Sequence, residues 1–123
     1  MNTQGRERAL VVDDNPAALF AVSAVVDGMG FEVDEADGPL AALALFDSKR
    51  YDLVVSDIRM PGDMNGVQLA QILHQKNADL PIILMTGYDE HINDGTQQFV
   101  VLRKPFEARE LKAAITPRRA RDA

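Results

Sequence analysis

The sequence contains no cysteine, which excludes disulfides, zinc–thiolate sites and thiol catalysis together. No apolar run approaches the roughly 20 residues needed to cross a bilayer, so no membrane span is expected. The opening residues, Met1 to Arg8, are polar and lack the apolar stretch of a secretory signal. A cytoplasmic location is the expectation that follows. No Gly-x-x-x-x-Gly-Lys loop occurs, so P-loop nucleotide chemistry is out. Internal repeats and low-complexity segments are missing as well. Positive charge is in deficit: 13 Lys and Arg stand against 19 Asp and Glu, a net charge of −6, which argues against a nucleic-acid surface.

What remains is 123 residues, 46% hydrophobic and 26% charged, a size and balance suited to one globular domain. Apolar runs alternate with amphipathic segments throughout. Ala9-Leu10-Val11-Val12 reads as a buried strand closed by Asp13 and Asp14. Asn15-Pro16 then supplies a helix cap and a first-turn proline, and Leu19, Val22, Val26 and Met29 form a core-facing stripe that Gly28 and Gly30 stop. Glu32 to Ala36 is a polar strand better suited to a sheet edge. Asp37-Gly38-Pro39 opens a second helix with Leu40, Leu43 and Phe46 inward.

Leu53 to Ser56 is a second apolar strand ending at Asp57, followed by a Pro- and Gly-rich loop, Met60 to Gly66. A third helix turns Val67, Leu69, Ala70, Ile72 and Leu73 inward. Pro81 to Met85 is a strand ending at Thr86-Gly87; Tyr88 to Gln98 is polar and carries no long stripe. Phe99 to Leu102 is the last strand, ending at Arg103-Lys104-Pro105, and a helix with Leu111, Ala114 and Ile115 inward is closed by Pro117. Five strands alternating with helices imply an α/β fold: a doubly wound, flavodoxin-like parallel sheet in the order 2-1-3-4-5. Residues 1–7 and the basic tail 117–123 are expected to be flexible ends.

Open parallel sheets bind ligands beyond the carboxyl ends of their strands. Here those ends carry Asp13 and Asp14, then Asp57, Thr86 and Lys104. Any one of them alone reads as a helix cap or turn residue; five at one sheet edge do not. Crowded carboxylates repel one another unless cations relieve them. One lysine and one divalent ion would bring three carboxylates to neutrality, and hard oxygen donors suit magnesium. Magnesium held by few carboxylates takes up phosphate oxygens, and a carboxylate can itself attack phosphorus to give an aspartyl phosphate.

These residues resemble a response-regulator receiver domain of two-component signalling, in Val11-Val12-Asp13-Asp14, Asp57-Ile58-Arg59-Met60-Pro61-Gly62, Met85-Thr86-Gly87 and Lys104-Pro105-Phe106. The resemblance spans residues 8–116. It implies that Asp57 is the phosphoacceptor, receiving its phosphoryl group from a histidine kinase or histidine phosphotransfer protein in a phosphorelay. Asp14 and Asp57 are then direct Mg2+ ligands, Asp13 a ligand through water, and Arg59 a ligand through its backbone carbonyl. Lys104 would pair with phosphoryl oxygens, the Thr86 hydroxyl would sense the phosphate, and Gly87 would leave room for the donor. Pro105 would hold Lys104 inward through a cis bond. Such a domain catalyses only its own phosphorylation and dephosphorylation and is otherwise no enzyme. A monomer is expected, with no nucleic acid or membrane partner.

Three departures from the common receiver pattern stand out. The Met60–Gly66 loop is one residue longer, as in receivers attached to hybrid histidine kinases. Val101 occupies the position of the usual aromatic switch, with Phe99 on the same side of the strand but further from the site. The interval from Thr86 to Lys104 is shorter than usual, so the helix between the last two strands must be short or degenerate. His74 and His91 read as surface residues, and Tyr88 as a loop tyrosine or a cover for the site. Two rival readings are a haloacid-dehalogenase-type phosphatase and a receiver-like binding module that takes up no phosphate. The phosphatase places its nucleophile at the first strand in an Asp-x-Asp pattern, whereas here the acidic pair comes first. The binding module loses an acid or the lysine, and this chain keeps them all.

Overall fold

Each apolar run becomes a strand, and a short, branched, continuously hydrophobic segment suits a parallel sheet covered on both faces. The computed structural model describes residues 6–87 and 99–120. The strands are β1 Arg8–Val12, β2 Glu32–Ala36, β3 Leu53–Asp57, β4 Ile82–Thr86 and β5 Val100–Arg103. The helices described are α1 Pro16–Gly28, α2 Pro39–Ser48, α3 Gly66–Lys76 and α4 Ala108–Ala120. All strand pairs are parallel, in the order β2-β1-β3-β4-β5. The polar second strand lies at the edge, where its charges reach water. The segment 88–98, with the expected degenerate helix, Tyr88 and His91, lies outside the described residues.

Successive side chains along a strand point to opposite faces, and this divides the core in two. Leu10, Val12, Val54 and Leu84 face α2 and α3, packing with Ala42, Leu69 and Leu73. Val11, Val55, Ile83 and Met85 face α1 and α4, packing with Val22, Val26, Leu111 and Ile115. Phe99 and Val101 both pack against the α2–α3 layer, on one side of the last strand as the alternation requires.

Local signals set most helix ends. The Asn15 side chain accepts from the Ala18 N–H, with Pro16 in the first turn of α1. Asn65 and Gln68 form a reciprocal capping box at α3. Gly28 is the last residue of α1 rather than its stop; Gly30, with φ of 101°, turns the chain away. Two further expectations are corrected. Leu40 is 77% exposed, because the buried side of α2 centres on Ala42, almost opposite Leu40 around the helix. Pro117 does not end α4, which runs on to Ala120. A proline so near a helix end removes only one internal bond, and the Thr116 hydroxyl donates to the Lys112 carbonyl at 2.8 Å in the same turn.

Candidate functional site

The ladder continues one residue beyond several strands and so fixes the residues that matter. Asp13 N–H donates to the Ala36 carbonyl at 3.1 Å, Ile58 N–H to Met85 at 2.8 Å and Lys104 N–H to Thr86 at 2.7 Å. The candidate side chains therefore project from sheet hydrogen bonding, which positions them more tightly than free loops would. A cis peptide joins Lys104 to Pro105.

The structure brings Asp13, Asp14 and Asp57 together, with one carboxylate oxygen from each lying within 4.8 Å of the others. Lys104 Nζ stands 3.4 Å from Asp57 Oδ1 and 3.5 Å from Asp13 Oδ2. Asp13 is fully buried, and its Oδ1 accepts from the Asn15 N–H at 3.0 Å. Both Asp13 oxygens thus have partners within the chain. Asp14 is exposed and makes no hydrogen bond or ion pair among the described residues, so its oxygens are open to a ligand. Asp57 is 7% exposed. Among the described ion pairs, one ammonium stands against three carboxylates. An all-oxygen donor set of that charge fits a hard divalent cation.

Thr86 is fully buried beside this cluster, its hydroxyl donating to the Gly87 carbonyl at 3.1 Å. A Cβ added at Gly87 would meet nothing within 4 Å among the described residues. The Arg59 side chain is exposed, and Met60 after it is buried in the core layer with Leu69 and Leu73. His74 is half-buried rather than superficial, its ring edge-on to Phe99 with centroids 6.0 Å apart. It takes no part in the carboxylate cluster.

Sequence reasoning missed Gly66. A Cβ there would overlap the Asp57 carbonyl oxygen and lie 2.8 Å from Ile58 Cα, and the Gly66 N–H donates to the Ile58 carbonyl at 2.7 Å. The start of α3 is thereby pressed against the backbone that carries Asp57. A glycine just inside a capped helix, where other residues form helix better, was the available signal. Ser56, whose buried hydroxyl donates to the Asp57 carbonyl at 3.0 Å, was also passed over.

A second charged cluster, on β2, has a different character. Asp34 pairs with Arg8 at 3.4 Å and Lys49 at 3.3 Å, and accepts from the Tyr51 hydroxyl at 2.6 Å; Arg8 also pairs with Glu32 at 3.1 Å. Burial pushes the Asp34 carboxyl upward, but the Tyr51 and Lys49 hydrogen bonds and the two cations outweigh it and hold it below the ordinary carboxylate range. Burial first, then the adjacent carboxylate, pushes the Tyr51 phenol up.

Comparison with known proteins gives concordant findings. The response regulator receiver domain model matches residues 9–116. The DNA-binding response regulator MtrA of Mycolicibacterium smegmatis is 31% identical over 95% of this chain and 52% of its own length. The transcriptional regulatory protein FixJ of Bradyrhizobium diazoefficiens is 33% identical over 94% of this chain and 57% of its own. For the sensor histidine kinase GacS of Pseudomonas protegens the figures are 36%, 88% and 13%. The chain thus spans between about an eighth and somewhat over half of these relatives. Among solved structures, the Thermotoga maritima response regulator TrrA in complex with Mg2+ and BeF superposes with a TM-score of 0.83 at 34% identity, over 91% of this chain and 98% of that one.

Proposed function

Because the chain belongs to the response regulator receiver domain family, we propose that it is a phosphorelay receiver in which Asp57 takes the phosphoryl group of a phosphohistidine. The observation that carries this reading is the placing of Asp57 within 4.8 Å of two further carboxylates and 3.4 Å from the Lys104 ammonium. An Asp57 oxygen attacks phosphorus in line; the new O–P bond forms as the P–N bond to the donor imidazole breaks, and that imidazole keeps the electron pair and takes a proton. Lys104 pairs with a phosphoryl oxygen as charge develops there. The Thr86 hydroxyl leaves the Gly87 carbonyl to donate to another, and so reports the modification.

Asp14 and Asp57 would hold Mg2+ directly, and Asp13, with both oxygens already engaged, would do so through water. The Arg59 carbonyl, two residues past Asp57, would complete the protein's share. Magnesium bound there supplies two positive charges and polarises the phosphoryl oxygens. The donor is a histidine kinase or histidine phosphotransfer protein in the cytoplasm. The likeness to GacS and the longer Met60–Gly66 loop support a receiver of the hybrid-kinase type. On this reading the chain is a signalling module that acts on its own aspartate.

Intact-mass measurement after exposure to acetyl phosphate and magnesium tests the proposal. The wild-type chain gains one phosphoryl group and Asp57→Asn gains none. Equal labelling of the two, or steady turnover of a free phosphate ester, would overturn it.

A further inference from the structure

We propose that the outer edge of β2, with the groove between it and α1, docks an extended basic segment of a partner protein by strand addition. In a parallel ladder, alternate residues turn their N–H and C=O to opposite edges. The Glu32 N–H donates to the Glu7 carbonyl and the Ala36 carbonyl accepts from Asp13, so the even-numbered residues bond towards β1. Val33 and Glu35 therefore turn their backbone groups outward, where no strand lies among the described residues.

The same two residues line a groove of about 350 Å3 whose other wall is α1, through Phe20, Ser23, Ala24 and Asp27. Two features of that wall suit a ligand. Phe20 is 74% exposed at the mouth. Ser23 is only 8% exposed, yet its hydroxyl has no hydrogen-bond partner among the described residues, an uncommon condition for a buried polar group. Charge selects the occupant. Glu32 and Asp34 on β2 are paired with cations, whereas Asp27 and Glu35 are exposed and make no ion pair among the described residues. A segment alternating apolar and basic side chains would bond its backbone to Val33 and Glu35, rest an apolar group on Phe20 and place cations by Asp27 and Glu35. Acids on an edge strand also deter unwanted pairing. That accounts for Glu35 but not for an exposed ring and an unpartnered buried hydroxyl in one groove.

The test titrates a short peptide of alternating valine and arginine into the isotope-labelled full chain, with magnesium present, and follows amide signals. The Val33 and Glu35 amides should shift and exchange more slowly, and binding should weaken with added salt. The Asp27→Lys/Glu35→Lys double variant should bind roughly tenfold more weakly. Phe20→Ser should also bind more weakly while folding normally. The same peptide N-methylated at alternate residues should not bind. No binding, equal binding of the methylated peptide, or shifts centred on Asp14 and Asp57 would overturn the proposal. So would sedimentation showing the protein alone self-associating through this edge.

Discussion

Around Asp34, two cations answer two carboxylates and a phenol completes the hydrogen bonding; around Asp57, a single lysine faces three carboxylates. Both clusters set carboxylates against cations beside the same sheet. The first has its charges matched within the chain, and so ties β1, β2 and the segment before β3 together. The second sets one lysine against three carboxylates among the described ion pairs, a balance that a divalent cation from outside would bring to neutral. Charge matching, rather than the presence of acids and lysine, separates the two clusters in this molecule.

The largest effect that would sharpen this contrast is Asp57→Asn, which should abolish labelling while leaving the unfolding midpoint near that of the wild type. Next is Asp14→Ala. Magnesium affinity, read by titration, should fall by roughly 10- to 100-fold. The metal-free protein should unfold at a higher temperature than wild type, because one uncompensated charge is gone. Asp13→Ala should weaken magnesium less than Asp14→Ala does, since Asp13 already has partners on both oxygens. A lower metal-free midpoint for Asp14→Ala would break the comparison.

Gly66→Ala should cost about 1–3 kcal/mol in denaturant unfolding, and should slow labelling too, because its methyl would displace the Asp57 backbone. In the balanced cluster, Asp34→Asn should be destabilising, by about 1 kcal/mol, since the charge-assisted bonds lost are partly open to water. Magnesium affinity should be unchanged in that variant. The smallest effect concerns acid. The folded Asp34 pKa lies below its unfolded value, so its stabilisation is complete above the unfolded value and is lost as pH falls through the folded one. Unfolding measured from neutral pH to below pH ~4 should therefore lose less stability in Tyr51→Phe than in the wild type.

How much of this was legible in the residue order follows the physics of each feature. Strands β1, β3 and β4 could be read because burial on both faces demands a continuous apolar run. The edge position of β2 followed from its polarity. Asp13, Asp14, Asp57, Thr86 and Lys104 could be grouped because parallel strands all place their carboxyl ends on one side.

What depends on an approach between distant segments left no such mark. Asp34 meets Tyr51 and Arg8 across 17 and 26 residues, and nothing local distinguishes it from the other β2 acids. Leu40 and Leu43 share a row along α2, yet which side turns inward was settled by where Ala42 fits against the sheet. Pro117 reads as a stop only if the turn it interrupts is counted alone. The sequence by itself determined the strands and the residues at their ends, because these follow from alternation and burial along one segment, while the strand order came from the common arrangement of doubly wound sheets. Only the tertiary structure decided that Gly66 must lack a side chain, that Asp13 is already engaged while Asp14 is open, and that one charged cluster closes and the other does not. Those are distances between elements, and periodicity carries no distances.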